Sequence, residues 1–221
     1  MKSSLKRVVA ALEKMHAPEP LVAKSAFEVV LWENVAYLVD DDRRKRAFEV
    51  LRERVGLTPE AIDGAKKGVL EGLVGDECAE KVRRAAEVAL EIEDLDSAVA
   101  SNSREARRTL KRFPGIGDPG ADRILMLFGG ARTIAPESNG LRVLCRLGLV
   151  EEQKGYAATY RKAVEALEAQ LPRDPARAHA LLREHGRVVC RRSAPHCEVC
   201  PLTKTCAFYQ ATAGRAAKDR V

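Results

Sequence analysis

The sequence has few aromatic residues, no long apolar run and no segment in which apolar and polar residues alternate. Aromatic side chains make up only 5% of the 221 residues. A membrane-spanning helix needs about 18 consecutive apolar residues, and a half-buried strand needs sustained alternation. The first residues, MKSSLKRVVAALEKM, also lack the cleavage region of a signal peptide. These absences argue against a membrane span and a β-rich fold, and they predict a cytoplasmic globular protein.

Helical periodicity is present along most of the chain instead, and it predicts an all-α fold with short connections. Asp94 and Asp174 are predicted N-caps, and Gly56, Gly75 and Gly129 are predicted helix ends. The predicted later helical segments are 79–92, 95–101, 104–112, 118–128, 137–147, 155–170 and 175–185.

Positive charge is concentrated in two short parts of the chain. The whole chain carries 38 Lys and Arg against 32 Asp and Glu, a net charge of +6. Residues 187–221 contain seven Lys or Arg against two acids, and residues 104–112 contain five against one. Clustered positive charge indicates a polyanionic partner, most simply nucleic acid, although solvated helix faces also carry such charge.

Four of the six cysteines form the pattern C-x6-C-x2-C-x5-C near the C-terminal end. Cytoplasmic proteins seldom keep structural disulfides, so four crowded thiols indicate a metal centre. The spacing leaves open whether the centre is one tetrahedral zinc or one cubane iron–sulfur cluster. The predicted ligands are Cys190, Cys197, Cys200 and Cys206, while Cys78 and Cys145 are expected to be small buried residues.

The basic segment 104–112 is followed by a glycine-rich turn, Phe113-Pro114-Gly115-Ile116-Gly117-Asp118. Two glycines let the backbone turn tightly, and exposed N–H groups at the start of a helix can bind a phosphate of a nucleic-acid backbone. Ile116 is expected to pack inward. We therefore predict that Gly115, Ile116 and Gly117 contact DNA; a plain turn between helices is the alternative.

Three segments together resemble the helix-hairpin-helix DNA glycosylases of the endonuclease III type. The first is His185-Gly186-Arg187 with the four cysteines, which matches the family's [4Fe-4S] motif in spacing and lead-in. The second is the glycine-rich turn, which matches the family's L-P-G-V-G hairpin. The third is Thr133–Asn139 with Arg142 and Val143, which matches the segment that holds the family's catalytic aspartate. With Ser25–Glu28 the resemblance spans nearly the whole chain.

The resemblance implies a fold, a cofactor and a partner. The fold is a six-helix barrel domain over 25–130 and an iron–sulfur cluster domain made of 1–24 and 131–221. The cofactor is a structural [4Fe-4S] cluster on the four cysteines. The partner is double-stranded DNA, and the protein is expected to be a nucleoid-associated monomer with no membrane partner. Outside the hairpin, the expected DNA-contacting residues are Arg187, Arg191, Arg192 and Asn139.

The chain departs from the family at the catalytic positions. Bifunctional members have a lysine two residues after the second hairpin glycine, where this chain has Pro119, which cannot act as a nucleophile. The family's catalytic aspartate falls on Glu137, which could still orient water or stabilise a sugar oxocarbenium ion. The alternative is that Glu137 only stabilises the first turn of a helix.

A second catalytic candidate comes from adenine-specific relatives, which place a glutamate on an early helix. Their pattern aligns with residues 26–33 and puts Glu33 at that position. Burial there would favour a protonated carboxyl that can protonate a leaving base, and a helix-surface glutamate is the alternative. In those relatives, the residues at the positions of Tyr37 and Leu38 fill the gap that a flipped base leaves in the DNA. Tyr37 and Leu38 are therefore expected to contact DNA.

The predicted function is a base-excision-repair DNA glycosylase. It would flip a damaged or mispaired base into a pocket between the two domains and remove it by hydrolysis, without lyase activity. One alternative is a bifunctional glycosylase and AP lyase that uses Lys111 or the N-terminal amine. Others are a catalytically inactive DNA- or lesion-binding paralogue and a zinc-containing helical interaction module.

Overall fold

A computed structural model describes residues 4–36 and 41–218, with side chains described as far as residue 212. Every regular element in these ranges is helical, so the predicted all-α class is confirmed. No helix in the same ranges is long and apolar enough to cross a membrane. Contacts divide the chain into two compact units, one of Pro20–Ala131 and one of Met1–Glu19 with Arg132–Val221.

The described ranges contain thirteen α-helices, and three short 3₁₀ turns lie among them. The helices are α1 (Leu5–Glu13), α2 (Ala26–Asn34), α3 (Asp41–Arg54), α4 (Pro59–Asp63), α5 (Val69–Val74), α6 (Asp76–Leu90), α7 (Leu95–Ala100), α8 (Arg104–Leu110), α9 (Asp118–Phe128), α10 (Ser138–Arg146), α11 (Tyr156–Leu167), α12 (Pro175–Val188) and α13 (Ala207–Lys218). The 3₁₀ turns are Glu168–Gln170, Cys197–Val199 and Thr203–Thr205.

The unit Pro20–Ala131 is built around α2. This helix is apolar on nearly all sides, which is typical of a helix covered by its neighbours, and α3, α6, α7 and α9 all contact it. Ser25 starts the helix, because its hydroxyl accepts a hydrogen bond from the Glu28 N–H at 3.2 Å. The apolar core of this unit therefore forms around a single central helix.

The other unit packs α1 and α10 against α12. Leu5, Val8, Val9 and Leu12 form one buried stripe on α1, spaced as a single face of a helix requires. Asp174 starts α12 by accepting a hydrogen bond from the Arg177 N–H at 2.9 Å. These elements carry the second apolar core.

The helix ends follow the local signals in the sequence. Asp94 starts α7 by accepting a hydrogen bond from the Ser97 N–H at 2.9 Å, as Asp174 does for α12. Gly75 and Gly129 end α5 and α9, and Gly56, with a φ of +107°, directly follows the end of α3. The predicted N-caps and helix ends are confirmed.

Helices α10 and α12 approach closely because glycines lie where they cross. A Cβ atom on Gly186 would overlap the backbone of Asn139, standing only 2.7 Å from its carbonyl carbon. A Cβ atom on Gly140 would lie 3.3 Å from Leu182 Cβ, at the limit of tolerable contact. The missing side chain at Gly186 therefore lets the backbone of α12 touch the first turn of α10.

We expect Gly186→Ala to lower the free energy of unfolding by about 2–3 kcal/mol, because the added methyl group must push two packed helices apart. Gly72→Ala on α5 is the matched control, since a Cβ there meets no atom within 4 Å. That control should be neutral or stabilising by up to about 1 kcal/mol. Denaturant unfolding measures both changes, and equal stability of the two variants would contradict the close approach.

Candidate active site, hairpin and cysteine centre

The glycine-rich turn joins α8 to α9, and a buried asparagine holds it. Gly115 has a φ of +71°, a conformation that favours glycine. Asn34, at the end of α2, donates from Nδ2 to the carbonyl oxygens of Val30 and Pro114, both at 2.9 Å. Its amide oxygen also lies only 3.0 Å from where a Cβ on Gly115 would stand. Sequence reasoning missed Asn34, which sets the shape of the hairpin from a different helix.

The remaining hairpin residues start α9. Ile116 is buried and packs against Gly120, so its predicted inward packing is confirmed. Gly117 stands at the N-cap position in an extended conformation. Pro119 lies in the first turn, where its missing N–H costs no helical hydrogen bond. The position that would need an amine for lyase chemistry therefore carries a residue that only favours the start of the helix.

Most cations of the basic segment 104–112 already have a carboxylate partner. The pairs are Arg107 with Asp122, Arg112 with Glu91, Arg108 with Glu105 at 3.2 Å, and Lys111 with Asp118 at 2.8 Å. Exposed ion pairs contribute at most about 1 kcal/mol, so a phosphate can replace the exposed carboxylates of Glu91, Glu105 and Asp118, whereas Asp122 is buried. The positive charge that this segment offers to DNA is nevertheless smaller than its composition indicates.

Glu33, near the end of α2, lies between two guanidinium groups. Its Oε1 contacts Arg123 Nη1 of α9, and its Oε2 lies 3.7 Å from Arg44 Nη1 of α3. The exposed fractions of the Glu33, Arg123 and Arg44 side chains are only 24%, 14% and 21%. In place of the apolar surroundings expected for Glu33, the structure has two guanidinium groups beside its carboxylate. Its proton-donor role stays a prediction, and Tyr37 and Leu38 lie outside the described residues.

Glu137 is the N-cap of α10, and both of its carboxylate oxygens have partners. Oε1 accepts a hydrogen bond from the Gly140 N–H at 2.9 Å. Oε2 accepts one from Asn139 Nδ2 at 3.1 Å and a longer one from the Ser138 hydroxyl at 3.4 Å. These donors and the positive end of the helix dipole orient the carboxylate and stabilise its charge. Glu137 therefore does stabilise the first turn, and the same contacts present a fixed anionic group.

Arg142 connects this carboxylate to the cysteine segment. Its Nη2 donates to Asn139 Oδ1 and to the Gly186 carbonyl oxygen, both at 2.7 Å, and its Nε donates to the Cys190 carbonyl oxygen at 2.9 Å. Burial lowers the pKa of the Arg142 guanidinium, and the charges of Cys190 and Glu137 oppose that effect. Both ends of the Asn139 amide are thus engaged within the protein, and its DNA contact stays a prediction.

The four cysteines of the motif lie within electrostatic reach of one another. Burial raises the pKa of the Cys200 thiol, and the charges of Cys190, Cys206 and Cys197 raise it further. Burial also raises the pKa of the Cys197 thiol, with Cys206 and Cys190 again adding to the effect. The four thiols thus influence one another electrostatically, and their role as ligands of one metal centre stays a prediction.

The donor set of the motif is four Cys side chains. In the part of the chain that the structure describes, no three His, Cys, Asp or Glu side chains are placed to hold a single metal ion. Four thiolates are the ligands of structural zinc sites and also of [4Fe-4S] clusters. The chemistry of the donor set therefore fits a cluster, and the identity of the metal centre stays a prediction.

The lead-in to the cysteines is held by a buried histidine. His185 Nδ1 lies 2.9 Å from His16 Nε2, and His185 Nε2 lies 3.5 Å from Cys200 Sγ. Burial lowers the pKa of His185 to about 4, and the charge of His16 adds to the effect. The His185 carbonyl oxygen accepts the Cys190 N–H at 2.7 Å. His185 therefore connects the segment that follows α1, the end of α12 and two of the cysteines.

The other polar side chains near the motif differ in whether they have partners within the protein. Arg187 pairs with Glu184 at 2.9 Å, whereas Arg191 and Arg192 are exposed and Arg191 has a long contact to the Ala194 carbonyl oxygen. His196 contacts Glu198 at 3.0 Å. Outside the motif, Cys78 is buried and Cys145 is half-buried, and burial raises the pKa of the Cys145 thiol to about 11. The interpretation of these two cysteines as packing residues is consistent with both environments.

Sequence comparison places the chain among DNA repair proteins. It is 29% identical over 170 residues to endonuclease III of Sulfolobus acidocaldarius, which covers 74% of this chain and 73% of that protein. It is 32% identical over 108 residues to the thymine/uracil-DNA glycosylase of Pyrobaculum aerophilum, which covers 47% of each chain. The chain thus aligns with about half of that second relative. No protein-family model matches the chain.

Fold comparison agrees with the sequence comparison. A trapped endonuclease III–DNA covalent intermediate matches with a TM-score of 0.76 and 19% identity, covering 95% of this chain and 97% of the other. A thermostable thymine-DNA glycosylase matches with a TM-score of 0.72 and 16% identity, covering 94% and 95%. The predicted fold is therefore confirmed, and the chain resembles endonuclease III and the thymine-DNA glycosylases in both sequence and fold.

Proposed function

We propose that this chain is a DNA glycosylase that releases a damaged or mispaired base by hydrolysis. The observation that carries the proposal is the carboxylate of Glu137, which is held at the N-terminal end of α10 by the Gly140 N–H and by Asn139. This residue stands where the sequence resemblance puts a catalytic acid. The names of two archaeal relatives, a thymine/uracil-DNA and a thymine-DNA glycosylase, make mispaired thymine and uracil the first substrates to test.

In the proposed reaction the bond between the sugar C1′ and the base nitrogen breaks. The base leaves with the bonding electrons, and positive charge develops on the sugar. A carboxylate that is already charged and oriented stabilises that charge without reorganising during the reaction. Water then adds to C1′ and loses a proton, which the departed base anion takes up, so that the products are an abasic sugar and the neutral free base. Glu137 would stabilise the cation and orient the water.

The absence of an amine at Pro119 supports hydrolysis without strand cleavage. Lys111, the nearby alternative nucleophile, has its Nζ 2.8 Å from Asp118 Oδ1. An attack by Lys111 on a sugar would first have to break this ion pair. The N-terminal amine lies outside the described residues.

We infer that DNA phosphates bind at the hairpin and at the loop that follows α12. At the hairpin, Gly115, Ile116 and Gly117 would offer backbone N–H groups at the start of α9. On the loop, Arg191 and Arg192 are exposed cations, and Arg187 would exchange Glu184 for a phosphate. Double-stranded DNA as the partner is supported by the similarity to endonuclease III, two solved structures of which contain DNA.

We also infer that Cys190, Cys197, Cys200 and Cys206 bind a [4Fe-4S] cluster. The four-thiolate donor set and its match in spacing to the family's [4Fe-4S] motif support this proposal. The cluster would cross-link the segment that carries the basic loop. No step of base release depends on it.

The central prediction concerns Glu137. On duplexes with a mispaired or modified base, we expect Glu137→Gln to slow base release at least 100-fold, because a neutral amide cannot stabilise the sugar cation. Glu168→Gln is the matched control, since Glu168 is an exposed residue of the same unit. Measuring free base from a panel of uracil, thymine-mismatch, oxidised and alkylated duplexes tests both variants.

Glu33→Gln belongs in the same experiment. If Glu33 donates a proton to the base, Glu33→Gln should lose base release. If Glu33 only pairs with the two guanidinium groups, the variant should mainly lose thermal stability. If the wild type releases no base from any duplex but binds one of them selectively, the chain is a lesion-binding protein and the glycosylase proposal is wrong.

A second prediction concerns lyase chemistry. With borohydride present during turnover we expect no covalent DNA adduct, because hydrolysis forms no Schiff base for the reductant to trap. Gel electrophoresis of the reaction detects an adduct directly. An adduct that disappears in Lys111→Gln would identify that lysine as the nucleophile and establish the bifunctional alternative.

A third prediction concerns the hairpin. Asp118 places a carboxylate in the first turn of α9, where the proposed phosphate would bind. We expect Asp118→Asn to tighten duplex binding about three- to tenfold at low salt, because a negative charge next to the phosphate is removed. The gain should shrink as salt rises.

Fluorescence anisotropy at two salt concentrations measures the effect of Asp118→Asn. Asp63→Asn, at the exposed end of α4, is the control for a simple change in net charge. Equal affinities of the two variants would argue that no phosphate binds at the start of α9.

A further inference from the structure

Arg146, the last residue of α10, has more contacts with the cysteine segment than any predicted site residue described above. Its Nη1 donates to the Arg191 carbonyl oxygen at 2.7 Å, and its Nη2 donates to the Arg192 carbonyl oxygen at 2.9 Å. Nη1 also lies 3.5 Å from both the carbonyl oxygen and the Sγ atom of Cys190. One guanidinium group thus contacts three consecutive residues of the loop.

The same residue reaches the other end of the motif. Its guanidinium carbon lies 4.5 Å from the centre of the Phe208 ring, which follows the last cysteine by two residues. Its carbonyl oxygen accepts the Cys206 thiol at 3.4 Å. Arg146 is therefore in contact with the first and the last cysteine of the motif, which are 16 positions apart in the sequence.

These contacts assign Arg146 an internal role. Both terminal nitrogens donate to the loop, and one face of the guanidinium is covered by an aromatic ring. A phosphate-binding arginine would instead direct its planar group to solvent, as the exposed Arg191 and Arg192 can. A lysine could not replace Arg146 fully, because a single ammonium group cannot donate in one plane to two carbonyls and stack on a ring.

We propose that Arg146 is the positioning residue of the cysteine centre, which holds Cys190 and Cys206 in place and donates an N–H to the Cys190 thiolate. The proposal rests on the cluster assignment made above. A cationic donor beside a ligand sulfur stabilises the more negative, reduced state of an iron–sulfur cluster and restrains the ligand. Loss of Arg146 should therefore lower the reduction potential of the cluster and speed the loss of iron.

The test compares the iron-loaded wild type with Arg146→Met, Arg146→Lys and Phe208→Leu. Arg161→Met on α11 is the control, since Arg161 is an exposed arginine of the same unit. Iron and sulfide per chain are measured first. The rate of iron transfer to a coloured ferrous chelator in air and the potential from a mediated titration are then compared.

We expect Arg146→Met to release iron at least tenfold faster than the wild type and to have a more negative potential. Arg146→Lys, which keeps the charge, should recover part of both properties. Phe208→Leu, which keeps the hydrogen bonds but loses the aromatic face, should have a smaller effect. Arg161→Met should match the wild type in both measurements.

The outcomes separate this proposal from the proposed function. Wild-type release rate and potential in an iron-loaded Arg146→Met would overturn the role of Arg146 and leave the cluster assignment intact. A wild type that purifies without iron and sulfide would overturn both. If Arg146→Met does not fold, the test rests on Arg146→Lys and Phe208→Leu. A wild-type rate of iron release and a wild-type potential in both of those variants would also overturn the proposal.

Discussion

The cysteine-bearing unit depends on the backbone contact between Gly186 of α12 and Asn139 of α10. Since no side chain stands at Gly186, Arg142 can reach the Gly186 carbonyl oxygen and the Cys190 carbonyl oxygen with one guanidinium group. The same contact supports the first turn of α10, which is capped by Glu137. A single helix pair thus positions both the candidate catalytic carboxylate and the start of the metal-binding motif.

The proposed DNA-binding regions differ in whether their cations already have carboxylate partners. Near the hairpin, cations such as Arg107 and Lys111 have carboxylate partners, so this region offers shape and backbone N–H groups more than free charge. In the loop after α12, the backbone carbonyls of Arg191 and Arg192 are bound by Arg146 while their side chains remain exposed. Because Arg146 binds only the backbone of this loop, the guanidinium groups of Arg191 and Arg192 stay exposed. Such exposed cations suit a surface that attracts phosphates.

Local signals predicted the helices, their caps and the buried Ile116, because each depends on neighbours only a few residues away. The contacts that shape the site span long stretches of sequence. Asn34 meets the Pro114 carbonyl across 80 positions, and Glu33 meets Arg123 across 90. Periodicity in a single sequence says which face of a helix is buried but not which residue it meets.

Glu33 illustrates the consequence of that limit. The apolar residues before it predicted apolar surroundings, whereas the fold brings two arginines from other helices to its carboxylate. Arg146 differs, because it follows Arg142 by one helical turn and therefore lies on the same face of α10. The sequence shows that spacing. Only the fold shows that this face of α10 contacts the cysteine loop.

The two departures from the family pattern have different chemical consequences. Glutamate is a less usual N-cap than the shorter aspartate, because more side chain must be ordered to reach the same backbone N–H. Glu137 makes that hydrogen bond nonetheless, and its second oxygen turns to Asn139. The extra methylene is therefore accommodated within the protein, and a charged, oriented carboxylate is retained. Pro119, in contrast, removes a functional group that no side-chain rearrangement can restore. In the proposed mechanism base release uses the carboxylate and strand cleavage would use an amine, so the two departures together support the proposal of hydrolysis without lyase activity.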